Sequence, residues 1–179
     1  MFEKVFGLPA HPLVVHAAVV LVPIAVLSAF AYVLVPRLRP KIGWVLALSS
    51  LAGAGASIVA AETGDRLAKF LGGSDAINEH GGFGLDTRNM AVLLAVVAVV
   101  LLIVERARAN RREPMRGYAE RDQWGMVGEQ PRGNSSGSTV LTVVSVVLMI
   151  ALLATAVGAA VSVARAGDTG ARMVWEGVG

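Results

Sequence analysis

The chain has 179 residues, 55% hydrophobic and only 16% charged, with a net charge of +3 and a mean hydropathy of +0.63. A soluble domain carries about a quarter charged residues, so this composition points to one membrane domain with no separate soluble one. The lack of cysteine excludes disulfides, thiolate metal sites, cysteine-held iron–sulfur clusters and covalently attached c-type haem. The pI near 9.8 is not an argument for nucleic acid. The basic residues gather beside apolar runs, where topology and anionic headgroups account for them.

In chain order, Gly7-Leu8-Pro9-Ala10-His11-Pro12-Leu13-Val14-Val15-His16 opens the first apolar run. That run covers about 13–35, and further runs follow at about 42–61, 88–106 and 140–164. At a rise of ~1.5 Å per residue, each is read as a helix crossing the bilayer, since a lipid-bound backbone must satisfy its own hydrogen bonds. A signal peptide ending at Ala29-Phe30-Ala31 is the competing reading of the first run. Its apolar part is long for that role, and cleavage would strand Arg37, Arg39 and Lys41 outside.

Between the second and third runs, 63–86 is too polar to cross. Residues 65–71 are expected to form a short surface helix stopped by Gly72-Gly73, and 75–80 a second one. Ser74 would cap that second helix and Gly81-Gly82 would break it. After the third run, 105–116 continues the helix as a charged, snorkelling extension. The remainder of a 107–138 linker is rich in Gly, Ser, Asn and Pro, with Trp124 suited to the membrane interface. Small residues at 52–57 and at Ala154, Gly158 and Ser162 let helices approach closely, within the bundle or at a homodimer seam.

Charge sets the expected orientation. The first and third connections hold ten of the sixteen basic residues against five acidic ones; the rest of the chain holds six basic and eight acidic. The positive-inside rule then places both termini and the second connection outside the cytoplasm. The expected fold is an all-α four-helix bundle in the cell membrane, in contact with the lipid bilayer.

On that topology all three histidines fall on the extracytoplasmic side. His11 and His16 stand at the outer end of the first span, and Glu62 follows the second. His80 sits in the outer connection and Asp168 follows the fourth. Pro12 suits a first helical turn, which leaves His11 near the N-cap and His16 one turn further in. Imidazoles ligate zinc, copper and haem iron, so these five residues form a candidate metal set, with His16 and His80 as the candidate haem pair. The bland alternatives are a capping His11, a His16 satisfied by one hydrogen bond, a solvated His80, and carboxylates that pair with nearby Arg66 and Lys69. There is no nucleophile elbow, phosphate loop or His-Glu-x-x-His helix, so an enzyme is the less favoured reading.

The opening Gly-Leu-Pro-Ala-His-Pro-Leu-Val-Val-His, with Val-Pro-Ile-Ala at 22–25, resembles the signature of the four-span bacterial membrane proteins called domain of unknown function 2231, and their actinobacterial branch in particular. Glu62-Thr63-Gly64-Asp65 is similar to that branch's Glu-Ser-Gly-Glu, and Glu79-His80 with Gly84 to its Glu/His/Gly loop. Arg165-Ala166-Gly167-Asp168-Thr169-Gly170-Ala171, followed by Val174-Trp175, is similar to a C-terminal Gly-His-Ser-Gly-Ala…Trp. Where the family pattern carries histidine this chain carries Asp168, which suits zinc or a hard cation and not haem iron. Some relatives join the module to Rieske-type domains, which implies redox surroundings. The expected role is therefore a redox or metal-handling site for zinc, copper or b-type haem, alone or within a membrane redox complex. A non-catalytic subunit or assembly factor is the alternative.

Overall fold

The structure, a computed structural model, describes the backbone of residues 4–5, 8–122 and 135–175, and the side chains of 11–110 and 139–175. Four helices dominate it: α1 (Ala10–Leu34), α2 (Arg39–Leu71), α3 (Asp75–Asp122) and α4 (Ser135–Trp175). A minimal antiparallel pair, β1 (Lys4–Val5) with β2 (Leu8–Pro9), precedes α1, and a 3-10 turn at Pro36–Leu38 joins α1 to α2. Each helix contains a window long and apolar enough to cross a membrane.

The helices pack as a ring, α1 on α2, α2 on α3, α3 on α4 and α4 on α1, so α1 and α3 face each other across a diagonal. The outer faces carry the large apolar side chains, among them Leu27, Leu48, Ile103 and Ile150, as a lipid-facing belt requires. Exposed Trp44 and Phe70 on α2 are about 39 Å apart by helix rise, close to a bilayer with its headgroups, which suits interfacial anchors.

The expected small surface helices do not exist as separate pieces. Residues 65–71 are the end of α2, and 75–80 open α3, which runs through Gly81-Gly82 without a break. Two mid-helix glycines cost about 1 kcal/mol each against alanine. That cost is offset here because His80 and Thr87, on either side of the pair, are held by packing against the bundle. The stop and start signals themselves are where the sequence puts them. Gly72 takes the left-handed conformation (φ 82°) and its N–H reaches the Ala68 carbonyl. Ser74 Oγ accepts from Ile77 N–H at 3.3 Å. Of the 107–138 linker, the part up to Asp122 is helical, as is the part from Ser135. Trp124 and the Gly/Pro-rich middle lie outside the described residues.

The small residues serve the interior. A Cβ on Gly53 would stand 3.3 Å from Val22 of α1, and one on Gly158 would stand 2.8 Å from Met90 Sδ of α3. Close approach thus holds α1 to α2 and α3 to α4.

The buried stripes expose a repeat. In α1 the stripe is Ala18, Val22, Ala25, Val26, Ala29 and Tyr32; in α3 it is Thr87, Ala91, Leu94, Ala95, Ala98 and Leu101. One shift of register superposes every member. Between α2 and α4, another single shift places Leu46 on Leu152, Ser50 on Ala156 and Gly53 on Ala159, all buried. The bundle is two equivalent helical hairpins, α1–α2 and α3–α4.

Candidate metal centre

The shift that aligns α1 with α3 also places His11 on His80. Each histidine precedes its buried stripe by seven residues, two helical turns, and so points along the same inward face. The shift that aligns α2 with α4 superposes Ala60-Ala61-Glu62-Thr63-Gly64-Asp65-Arg66 on Ala166-Gly167-Asp168-Thr169-Gly170-Ala171-Arg172. Around one end of the bundle the helices therefore present histidine, Thr-Gly, histidine and Thr-Gly.

Each ring is seated against the Thr-Gly of its own hairpin. His11 Nδ1 lies 3.0 Å from the Ala60 carbonyl and 3.3 Å from Thr63 Oγ1. A carbonyl only accepts, so Nδ1 carries the proton. The Thr63 hydroxyl donates its own hydrogen to Val59 O at 2.8 Å, which leaves its oxygen as acceptor. In the second hairpin His80 Nδ1 lies 3.1 Å from Thr169 Oγ1, whose hydrogen goes to Arg165 O at 3.0 Å. The Ala60 carbonyl fixes the His11 tautomer, and with the same tautomer at His80, donating to Thr169 Oγ1, both Nε2 atoms keep an available lone pair when the rings are neutral.

The glycines make room for the rings. A Cβ on Gly64 would fall 2.8 Å from His11 Cε1, and one on Gly170 would fall 3.1 Å from His80 Cε1. Any larger residue would push its imidazole away. Arg165 also lies over the Phe83 ring, 5.8 Å from its centroid, which ties α4 to α3 beside this site. The two imidazoles meet across the α1–α3 diagonal with centroids 6.5 Å apart and ring planes at 83°.

Of the five residues the sequence nominates, the structure brings together His11 and His80 and leaves three on the outside. His16 is exposed, and its Nδ1 donates to the Pro12 carbonyl of its own helix. Five residues turn a helix by about 500°, so His16 stands roughly 140° round from His11 and cannot share its face. His16 therefore does not meet His80, with which it was expected to form a haem pair; the imidazole that meets His80 is that of His11. Glu62 is exposed, and Asp168 is exposed and bonded to Arg172 at 3.0 Å. Asp65 likewise pairs with Lys69 at 2.6 Å. Among the described residues no group of three or more histidine, aspartate or glutamate side chains could close on one ion. Sequence reasoning passed over Thr63, Gly64, Thr169 and Gly170 as seats for the rings. The repeated Thr-Gly-x-Arg was the signal for them.

The opposite end of the bundle is polar in another way. Arg39 donates to the Tyr32 carbonyl at 3.0 Å and to Val33 O at 3.4 Å, and it also reaches Met149 Sδ. These bonds satisfy carbonyls at the end of α1 that the helix leaves free. Glu105 pairs with Arg108 and hydrogen-bonds with Ser145, while Arg108 reaches Thr142 Oγ1 at 3.2 Å.

Fold and site together define a four-helix membrane module built of two like hairpins, with paired imidazoles at one end. The chain belongs to the family described as predicted membrane protein DUF2231, whose pattern it matches over residues 7–179. No curated protein and no solved structure matches it.

Proposed function

We propose that this chain is a multi-pass protein of the cell membrane whose His11–His80 pair holds a transition metal, as an ion or as haem iron, in a redox or metal-handling role. The observation that carries this reading is the pairing itself. Two imidazoles from separate hairpins meet at 6.5 Å, each oriented by a bond at Nδ1 that leaves Nε2 for a ligand. Metal-bound histidine is held in this manner, with its second nitrogen donating to a carbonyl or another acceptor to fix the tautomer. The charge distribution supports an extracytoplasmic location for the pair, because basic residues concentrate in the two connections at the other end.

Protein purified from membranes without chelators tests the reading by metal analysis and an optical spectrum. The reading expects a metal or a Soret band that His11→Ala and His80→Ala abolish and His16→Ala preserves. A folded wild-type protein with neither overturns it. A second reading, a non-catalytic subunit or assembly factor, is favoured by the way each ring fills a glycine notch, as a structural wedge would. That reading expects the protein to co-purify with a larger complex and the histidine variants to lose stability without loss of any metal.

A further inference from the structure

Building on the two-imidazole reading, we infer that the ion is monovalent copper, bound in a two-coordinate, near-linear arrangement between His11 Nε2 and His80 Nε2. Distance comes first. With metal–nitrogen bonds near 2 Å and about 1 Å from nitrogen to ring centre, two imidazoles on opposite sides of one ion hold their centroids roughly 6 Å apart. At a tetrahedral angle the same bonds bring the centroids to about 5 Å. The observed 6.5 Å lies on the linear side, a few tenths of an ångström wider than a closed site requires.

Charge points the same way. An imidazole ligand brings no negative charge, Glu62 and Asp168 are exposed with Asp168 engaged by Arg172, and no third histidine or carboxylate closes on the pair among the described residues. The cost of desolvating an ion rises with the square of its charge, so a site without an anionic ligand at the mouth of a membrane bundle favours a single positive charge. Zinc in a protein takes four ligands, and no such set exists among the described residues. Monovalent copper is a closed-shell ion content with two nitrogens, and imidazole suits it. Haem iron would also place two axial imidazoles at this separation. Each ring, however, already rests against a glycine of α2 or α4, so a macrocycle between them would have to wedge those helices apart.

The test is an anaerobic competition titration of the metal-stripped, detergent-solubilised full chain with Cu(I) against a chromogenic chelator, with Zn(II) and haemin in parallel arms. One Cu(I) per chain is expected, with affinity falling at least about 100-fold in His11→Ala and in His80→Ala and staying within about twofold in His16→Ala. X-ray absorption on the copper-loaded wild-type protein needs no variant and should give two nitrogen neighbours and no sulfur. Sulfur ligation by methionine, or four-coordination, would overturn the assignment. Binding of Zn(II) or haemin through His11 and His80 without Cu(I) would overturn copper and leave the two-imidazole reading standing. A folded protein that takes none of the three would overturn both.

Discussion

The two ends of the bundle are held by opposite strategies. At the imidazole end the hairpins repeat each other: His11 on Thr63-Gly64 in one, His80 on Thr169-Gly170 in the other. At the far end nothing repeats. Arg39 sits where the second hairpin has Ser145, and the Glu105–Arg108 pair belongs to α3 alone. A half-buried ion-pair network closes that end, in which each charge depends on the others. Symmetry survives where the two imidazoles meet and is lost where the connections differ in length and charge. The imidazole end is thus the candidate site, and the arginine end is the clasp.

Breaking the clasp should have the largest effect on stability and little on the site. In Glu105→Ala the carboxylate leaves Arg108 with its guanidinium largely shielded, and the fold should lose about 1–3 kcal/mol in reversible detergent unfolding. Metal affinity should change less than about twofold. Equal loss of affinity would mean that the two ends are not independent.

The notches sharpen the comparison in the other direction. Gly64→Ala puts a methyl 2.8 Å from His11 Cε1 and should lower metal affinity about tenfold in competition titration. Gly55→Ala, on the same helix with open space around it, should leave affinity unchanged and add up to about 1 kcal/mol of helix stability.

The two hairpins are alike without being identical, and the threonines measure the difference. His11 is held by both the Ala60 carbonyl and Thr63, whereas among the described residues His80 is bonded to Thr169 alone. Thr169→Val should therefore weaken metal binding by about tenfold and Thr63→Val by less, since one orienting bond remains. Equal losses would show that the carbonyl does not orient His11.

Acid should empty the site. A metal needs both imidazoles deprotonated, so affinity should fall as the medium is acidified, tending to about 100-fold per pH unit in acid as two protons compete with one ion. A shallower, tenfold slope would indicate one histidine ligand. The smallest effect belongs to Ser57, buried on α2 with a hydroxyl that has no partner among the described residues. Ser57→Ala removes an unmatched polar group and should change stability by no more than about 0.5 kcal/mol, with the shift, if any, toward greater stability.

Much of this architecture is legible from residues alone, because lipid leaves a chain few choices. Four apolar runs, the Gly72 stop and the Ser74 cap are each local signals with a local cause. The continuous helix through Gly81-Gly82 was not legible, since local propensity at that point opposes what packing of His80 against α4 enforces. The hairpin repeat was hidden for another reason. Most paired positions of the stripes hold different residues, such as Ala18 with Thr87 and Tyr32 with Leu101, so outside the short Thr-Gly-x-Arg match it is shared burial that reveals it. The two helix pairs also align at different shifts, which a search for one period does not detect. His16 drew attention as a polar residue in an apolar run, yet the inward stripe running from His11 through Ala18, Val22 and Ala25 was already written in the helical spacing.

The most direct measurement of the paired-imidazole centre is nitrogen-15 NMR of histidine-labelled protein, before and after loading with a diamagnetic ion, Cu(I) or Zn(II). The account predicts Nδ1–H tautomers for His11 and His80 in the metal-free protein, and shifts at both of their Nε2 atoms on loading, while His16 stays unchanged. A shift at His16, or at only one member of the pair, would contradict it.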